Sequence, residues 1–307
     1  MVGRAVVQRF TSRGDYEILC AGRSALDLTD KQAVRRWWAC ERPEAAVICA
    51  GHVGGIHANS ANQVKFLTIN AEIALNTIQA AAEYDCKRLI YLGSSCIYPR
   101  GVEQPMDTDA LLSGPLEPTN EGYAIAKILG VKLVEQYYAD GYDFTAVMPC
   151  NLYGSYDNFD YETSHVLPAM IAKFHKAKHV GTREVKLWGS GEPRREFMFV
   201  KDCANGISKI FDKLHQPIVN LGPGKDVSIR ELAETVRKVV YPEAKIVWDT
   251  SKPDGVPQKL MKSERVRLVG WYPKTQLEKG IWSVYENYRK SLVDEHGDPR
   301  PSVRRPG

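Results

Sequence analysis

Residues 88–99 read Arg88-Leu89-Ile90-Tyr91-Leu92-Gly93-Ser94-Ser95-Cys96-Ile97-Tyr98-Pro99. The first five residues are an apolar run with the length and residue types of a buried strand. Ser94 and Cys96 follow at the carboxyl end of that strand, which is where open α/β sheets place their ligands. The segment therefore predicts a parallel sheet that carries a hydroxyl group and a thiol at its ligand-binding edge.

A second segment, Tyr123-Ala124-Ile125-Ala126-Lys127, begins a predicted helix and puts a phenol and an ammonium group on one face. Tyrosine has a pKa of ~10, and a lysine held nearby favours the phenolate and lowers that pKa. Together with the strand-end hydroxyl of Ser94, the pair predicts a reductase site in which the phenol transfers a proton.

Strands and helices alternate along the first half of the chain, which predicts an α/β fold with a doubly wound parallel sheet. The predicted helices there are 1–10, 30–40, 63–84 and 123–138, and the predicted strands are 16–21, 45–50, 88–92 and 144–148. The second half is mixed. Its predicted helices are 167–176, 201–214, 229–240 and 276–290, and its predicted strands are 185–188, 218–221 and 246–249.

This pattern divides the chain into two parts and a tail. We expect a dinucleotide-binding domain over 1–165, to which some later segments return, and mainly a smaller mixed α/β substrate lobe over 166–292. Ser228 and Glu231 predict a capping box at the start of one helix of that lobe. Residues 293–307 are rich in proline, arginine and charge, and we expect them to be disordered.

The start of the chain departs from the expected order. A doubly wound sheet opens with a strand and a glycine-rich turn, so that the next helix can hold a pyrophosphate at its amino end. Residues 1–10 already read as that helix, and only Gly3 can belong to the turn. The sequence therefore predicts that the first strand is missing, either because a start codon was assigned too far downstream or because the product is truncated.

The composition is that of a globular enzyme, with 307 residues, 44% hydrophobic and 25% charged. A net charge of +4 does not indicate nucleic acid as a partner. The seven cysteines show neither CxxC nor Cys/His spacing, which predicts reduced thiols, no metal site and a cytoplasmic location. No apolar run reaches the roughly 18 residues of a membrane span, and no signal peptide is recognisable, so no membrane partner is expected.

Three further side chains are candidates for chemistry. Cys96 can serve as an acid or base beside an activating group, and His165, just before a helix, is a candidate partner across a substrate. The alternatives are a small buried side chain for Cys96 and a structural role for His165. Arg23 follows the predicted 16–21 strand, where dinucleotide folds place the adenosine ribose, and an arginine there suits the 2′-phosphate of NADP(H). A solvated loop arginine is the alternative.

The segment 188–197, Trp-Gly-Ser-Gly-Glu-Pro-Arg-Arg-Glu-Phe, joins a glycine loop to two guanidinium groups and an indole. Guanidinium groups bind phosphates through paired donors, and an indole stacks on a base. A nucleotide-sugar fits this combination, and an ordinary basic loop is the alternative. The turn at 252–255 can border the same pocket or be only a turn.

Taken together, these motifs resemble the GDP-L-fucose synthases, which are extended short-chain dehydrogenase/reductases. The matching segments are 53–59, 93–99, 116–120 before Tyr123, 151–154, 157–159, 164–166, 188–191, 195–197 and 251–255. The resemblance covers the chain to about residue 292. It implies a Rossmann-type fold, NADP(H) as cofactor, a GDP-sugar substrate and a homodimer. The implied activity is 3,5-epimerisation of GDP-4-keto-6-deoxy-D-mannose, followed by reduction of its C4 ketone to give GDP-L-fucose.

The resemblance also implies roles for individual residues. Ser94, Tyr123 and Lys127 match the reductase triad, and Cys96 and His165 match the epimerisation pair. The implied cofactor contacts are Gly3, Arg23, Lys127 and Asn151. The implied substrate contacts are Asn151, Lys173, Trp188, Arg195, Lys252 and Asp254.

The chain departs from the family pattern at Arg194 and Phe199, where an apolar residue and a histidine are expected. Related dehydratases carry an acidic pair where this chain has Ser95 and Cys96, which argues against water elimination. Two alternatives stay open. One is an epimerase/reductase or reductase for another GDP-4-keto-deoxy sugar, such as a heptose, and the other is a truncated, non-catalytic homologue.

Overall fold

The computed structural model describes residues 1–296 except 162 and 253, with side chains described as far as residue 292. Its helices are α1 (Val2–Thr11), α2 (Lys31–Glu41), α3 (Ile56–Ala61), α4 (Gln63–Glu83), α5 (Glu121–Ala139), α6 (Val166–Val180), α7 (Val200–Lys213), α8 (Ile229–Val240), α9 (Glu264–Leu268) and α10 (Leu277–His296). Its strands are β1 (Ala45–Ile48), β2 (Arg88–Leu92), β3 (Phe144–Pro149), β4 (Asn151–Tyr153), β5 (Glu184–Trp188), β6 (Arg194–Phe199), β7 (Ile218–Leu221), β8 (Asp226–Ser228), β9 (Lys245–Asp249) and β10 (Gln258–Lys259).

The central sheet has the strand order β1-β2-β3-β7, and every neighbouring pair in it is parallel. Every residue of β2 is buried, as expected for a parallel strand that helices cover on both faces. α1 packs against α7, and α4 packs against α5, so two helix pairs cover the sheet. The predicted α/β fold with a doubly wound parallel sheet is confirmed.

The predicted strand at 16–21 is wrong. These residues form no strand, and Tyr16 and Leu19 are each 42% exposed. A strand exists only through the hydrogen bonds of its ladder, and among the described residues none supplies a strand on the free side of β1. The residue types in 16–21 suit a strand, but among the described residues no neighbouring strand is present with which they could pair. The first strand that a doubly wound sheet needs is likewise not among the described residues, since α1 begins at Val2.

The second half contains a mixed sheet and a two-stranded parallel pair. β6 pairs in parallel with β4 and β10 and antiparallel with β8, while β5 pairs with β9. Arg194 at the start of β6 forms an ion pair with Asp226 on β8 at 2.9 Å, which explains a charged residue at this position. The predicted capping box is confirmed, because Ser228 and Glu231 exchange side-chain and backbone hydrogen bonds.

The apolar side chains form two cores. The first surrounds the central sheet and takes in later residues such as Met261 and Trp271, and the second lies among α6, α8 and α10. Glu196 connects β6 to two segments that follow it in the chain. Its buried carboxylate accepts hydrogen bonds from the backbone N–H groups of Gly224 at 2.9 Å and Met261 at 2.8 Å.

The predicted disordered tail begins too early. α10 includes residues 293–296, the first four residues of that tail. The rest of the predicted tail, 297–307, lies outside the described residues. Within the described part of the chain, no helix combines the length and apolar character needed to cross a membrane.

Candidate active site

Ser94 and Tyr123 meet at the carboxyl end of β2. Ser94 caps a short 3₁₀ helix (Ser95–Ile97), since its Oγ accepts a hydrogen bond from the Cys96 N–H at 3.2 Å. The same hydroxyl lies near the phenol of Tyr123, close to the start of α5, and favours its ionised form. Burial nevertheless raises the pKa of Tyr123 above its ordinary value, and the negative charge of a Cys96 thiolate raises it further. Tyr123 is therefore a protonated phenol at neutral pH.

Lys127 lies one helical turn beyond Tyr123 and is buried. Its Nζ donates to the carbonyl oxygen of Leu92 at 2.8 Å and lies 6.0 Å from the centroid of the Tyr123 ring. Burial lowers the pKa of Lys127 to about 8. The causes of the raised pKa of Tyr123 are desolvation and the charge of Cys96. The effect of the Lys127 ammonium group on that pKa stays a prediction.

Cys96 lies within the electrostatic reach of two other site residues. A Cys96 thiolate acts on Tyr123, as described, and favours the charged form of Arg195 on β6. The carboxylate of Glu117 also favours the charged form of Arg195. Burial outweighs both effects and lowers the pKa of the Arg195 guanidinium. The structure thus brings Ser94, Cys96, Tyr123 and Arg195 to one place.

His165 is placed by the start of α6, of which it is the N-cap residue. Its segment is fixed from the other side, where the Gly55 N–H donates to the carbonyl oxygen of Thr163 at 2.9 Å. A Cβ atom on Gly55 would lie 2.5 Å from the carbonyl oxygen of Ser164, so only glycine allows this approach. Desolvation lowers the pKa of His165, which makes the imidazole neutral at pH 7. A neutral imidazole can accept a proton.

A second cluster forms around Trp188 at the end of β5. The indole is 59% exposed, and the Nζ atoms of Lys173 and Lys252 lie 5.3 and 5.5 Å from its ring. Asp254 fixes the neighbouring loop by accepting hydrogen bonds from the Ser190 N–H at 2.9 Å and the Ser190 hydroxyl at 2.6 Å. Asp254, in the predicted turn at 252–255, therefore borders the glycine loop, while residue 253 lies outside the described residues. A Cβ atom on Gly255 would lie 3.1 Å from Nη2 of Arg195, which joins this turn to the first cluster.

The residues predicted to contact the cofactor are more dispersed. Gly3 lies in the first turn of α1, where a Cβ atom would meet that of Cys49 just beyond β1 at 3.7 Å. Arg23 is exposed, and its charge helps to lower the pKa of His52, in the loop after β1. Asn151 donates from its amide to the carbonyl oxygen of Glu196 at 3.0 Å. In this structure that amide joins β4 to β6, and its contact with a ligand stays a prediction.

Asn70 is a residue near Lys127 that the sequence did not reveal. This buried side chain on α4 accepts a hydrogen bond from the His52 N–H at 2.9 Å and donates to the His52 carbonyl oxygen at 3.0 Å. The clamped loop includes Gly51, where a Cβ atom would lie 3.2 Å from Asn70 Oδ1 and 3.5 Å from Lys127 Nζ. A polar residue on the apolar face of a helix, between Phe66 and Ile73, is the signal that could have revealed it.

The side chains at this edge of the sheet include groups that can transfer a proton, and the neighbouring cluster carries positive charge that can bind an anion. A protonated phenol, a hydroxyl, a thiol and a desolvated ammonium group lie together where the central sheet ends. Two further ammonium groups and an exposed indole lie at the neighbouring cluster, with Arg195 between the two.

The sequence profile of the NAD dependent epimerase/dehydratase family matches residues 1–222. The chain is 44% identical over 297 residues to a protein from Arabidopsis thaliana named "Putative GDP-L-fucose synthase 2", covering 96% of this chain and 90% of that protein. It is also 44% identical over 297 residues to the "GDP-L-fucose synthase" of Escherichia coli (strain K12), covering 93% of this chain and 92% of the relative.

Among solved structures, one similar fold is that of MlghC, a GDP-mannoheptose C4 reductase from Campylobacter jejuni with NADP bound. The two structures superpose with a TM-score of 0.85 at 30% sequence identity, covering 94% of each chain.

Proposed function

The chain belongs to the NAD dependent epimerase/dehydratase family and, within it, to the GDP-L-fucose synthases, and we propose that it makes GDP-L-fucose. The proposed substrate is GDP-4-keto-6-deoxy-D-mannose, which is epimerised at C3 and C5 and then reduced at C4 with NADPH. The observation that carries this proposal is the meeting of Ser94, Cys96 and Tyr123 at the end of β2, with Lys127 behind them.

The residues around Lys127 suit the nicotinamide half of NADP(H). Among the described residues, Lys127 Nζ has one hydrogen-bond acceptor, the Leu92 carbonyl oxygen, which leaves donors of this buried ammonium group for a ribose hydroxyl. The neighbouring Gly51 leaves room that a side chain would fill. Arg23 would bind the 2′-phosphate, and Gly3 and Asn151 are further proposed contacts. When bound, NADPH supplies the hydride that reduces the ketone.

Epimerisation uses the acidity that the C4 ketone gives to the protons at C3 and C5. We assign their removal and return to Cys96 and His165. The lowered pKa of His165 keeps its imidazole neutral at pH 7. A neutral imidazole is able to take up a proton. Arg195 balances the charge of a Cys96 thiolate. Each enolate is then protonated on the opposite face by the other residue of the pair, in its protonated form, which inverts the centre.

For reduction, Tyr123 donates its proton to the C4 oxygen as that oxygen becomes negative. The raised pKa of Tyr123 keeps the phenol protonated until negative charge develops on the C4 oxygen. Ser94 hydrogen bonds to the same oxygen and holds the carbonyl in place. The GDP moiety would lie on the second cluster. There Lys173, Lys252 and Arg195 offer positive charge to the diphosphate, Trp188 offers an indole face to the base, and Asp254 holds the loop.

Replacement of Cys96 by serine tests the epimerase role. In D₂O, the wild-type enzyme should introduce deuterium at C3 and C5 before reduction, as seen by mass spectrometry of the product. Cys96→Ser should lose this exchange by a factor of about 10² or more, because a serine hydroxyl is a much weaker base. Reduction of the unepimerised ketone should persist. Unchanged exchange in the variant would remove Cys96 from the mechanism.

The similarity to a GDP-mannoheptose C4 reductase supports a second candidate, an epimerase/reductase or reductase for another GDP-4-keto-deoxy sugar such as a heptose. Product analysis with the 6-deoxy hexose and the heptose substrates separates the two. A non-catalytic homologue would bind no NADPH, so a titration of the 307-residue chain with NADPH distinguishes it.

We also propose a homodimer formed through α4 and α5. Val64 on α4 and Ile125 on α5 are exposed apolar side chains on two helices that pack together, which supports this surface. Light scattering after gel filtration measures the mass directly. A cytoplasmic location is proposed from the seven free cysteines.

A further inference from the structure

A cleft outside the proposed active site lies behind α1. It has a volume of about 200 Å³ and is lined by residues of α1, the loop after β4, the start of α7 and α10. Arg4, Ala5 and Gln8 reach it from one face of α1. Gly3, by contrast, faces Cys49 at the central sheet. The cleft is therefore on a different side of α1 from the face that Gly3 turns to the sheet.

The lining is basic and rich in hydrogen-bond donors. Arg4 and Lys201 contribute the charged side chains, and Gln8, Ser155, Tyr156 and Asn287 contribute polar groups. None of the described residues that line the cleft is acidic. Three acids adjoin lining residues along the chain, and each has another partner. Asp157 has its carboxyl group buried, with Oδ1 accepting a hydrogen bond from the Asn158 N–H. Asp202 accepts a hydrogen bond from the Thr275 N–H, and Glu286 forms an ion pair with Arg289.

The two charges have no carboxylate to neutralise them. Within the described part of the chain, neither Arg4 nor Lys201 takes part in an ion pair, whereas Arg13, just after the same helix α1, forms ion pairs with Asp15 and Asp212. Two like charges at one cleft repel each other, so an anion between them would gain from both.

Arg4 is held in position by an aromatic ring. Its guanidinium carbon lies 4.3 Å from the centroid of the Tyr156 ring, which leaves the edge of the guanidinium and its N–H groups available. Tyr156 has a φ of 66°, in the left-handed region that a bulky residue rarely adopts. Such strain persists only where the surroundings impose it, and it is frequent at ligand clamps.

We propose that this cleft binds a phosphate group, either free phosphate or a small phosphate ester, between Arg4 and Lys201. The cleft volume of about 200 Å³ is well above the roughly 10–15 Å³ that a single water needs, so a phosphate group fits. Guanidinium and ammonium groups with hydroxyl and amide donors are the ligands that proteins use for phosphate.

Thermal unfolding of the full chain with increasing inorganic phosphate, at ionic strength held constant with chloride, tests the proposal. The melting temperature should rise saturably with phosphate, since a ligand that binds the folded state stabilises it. The double variant Arg4→Gln/Lys201→Gln should weaken the apparent affinity at least about tenfold. The matched control Arg9→Gln/Lys213→Gln removes the same charge from α1 and α7 outside the cleft and should leave the affinity unchanged.

The titration is run with and without NADPH, and with glycerol 3-phosphate as the ester. Tighter binding of the ester indicates a phosphate-ester ligand, and equal binding indicates free phosphate. The proposal is overturned if phosphate acts no differently from chloride, or if both double variants lose affinity equally. It is also overturned if NADPH abolishes the effect, because phosphate would then occupy only the cofactor site. Lys201 is exposed, so Lys201→Gln alone tests the site if the double variant does not fold.

Discussion

At Lys127, burial removes the water that would otherwise solvate an ammonium group, and the pKa falls to about 8. The group is charged below this pH and neutral above it. If the charged Nζ holds the cofactor ribose, NADPH should bind more weakly as the pH rises through about 8. The dissociation constant for NADPH, measured between about pH 6.5 and 9.5 without sugar, reports this directly.

The variant Lys127→Met provides the control for that titration. It should bind NADPH weakly at every pH, with no change near pH 8. A pH dependence near pH 8 that persists in Lys127→Met would assign the titration to another group.

Single-residue predictions from the sequence succeeded where a residue's position along an element settles its neighbours. Ser94 at a strand end and Tyr123 at a helix start had to meet, because both lie at the same edge of a parallel sheet. The partner of Asn151 could not be foreseen, since it depends on how β6 lies beside β4, and no pattern in the sequence encodes that pairing. The pKa of Tyr123 was likewise beyond reach, because desolvation depends on the whole surrounding structure.

At the scale of elements, Arg88 fastens the end of α7 to the central sheet. From β2, its buried guanidinium donates to the carbonyl oxygens of Ile210, Phe211 and Leu214, and it forms an ion pair with Asp143 at 2.9 Å. Arg88→Met should cost about 3–5 kcal/mol of unfolding free energy, because these buried acceptors lose their donor. Urea denaturation followed by circular dichroism measures the loss.

The exposed pair Arg35–Glu83, with an N–O distance of 2.7 Å, supplies the comparison. Arg35→Met should change the stability by no more than about 1 kcal/mol, since solvent screens the pair. Equal losses in the two variants would mean that the carbonyl contacts of Arg88 contribute little.

Helices and buried strands were predictable to within a few residues because their apolar periodicity is local. α2, for example, starts where the Asp30 side chain accepts hydrogen bonds from the N–H groups of Gln32 and Ala33. Four strands were not predicted, namely β4, β6, β8 and β10. β6 begins with two arginines and a glutamate, which read as a loop, and it is a strand because β4, β8 and β10 all pair with it.

At the scale of the whole molecule, Glu196 makes stability depend on pH. Burial raises the pKa of this carboxyl group from 4.5 to about 7, with Asp226 adding to the rise and Arg267 opposing it. The native state then holds the proton more tightly than the unfolded chain does. The resulting stability is fully present below about pH 4.5 and is lost as the pH rises through about 7.

Glu196→Gln should remove this dependence, because an amide does not titrate. The unfolding free energy of the wild type relative to Glu196→Gln should therefore fall by about 3 kcal/mol between pH 4.5 and 7.5. Chemical denaturation at a series of pH values gives the difference. A constant difference across this range would show that the carboxyl group ionises as readily when folded as when unfolded.

The architecture of the central sheet could be foreseen, since alternating strands and helices allow few topologies. The long-range contacts of β6 could not be foreseen. Glu196 reaches Gly224 and Met261, which are 28 and 65 residues away along the chain, and only the folded structure brings them together.

The setting of Trp188 gives the protein an optical reporter of its own. The indole is 59% exposed and has two ammonium groups near its ring. A GDP-sugar that enters would change both its solvation and its charged neighbours, so its fluorescence should shift in wavelength and intensity during a titration with GDP. Trp188→Phe should lose that signal while the other five tryptophans still emit. Nucleotide occupancy could then be followed in real time, without a label and independently of turnover.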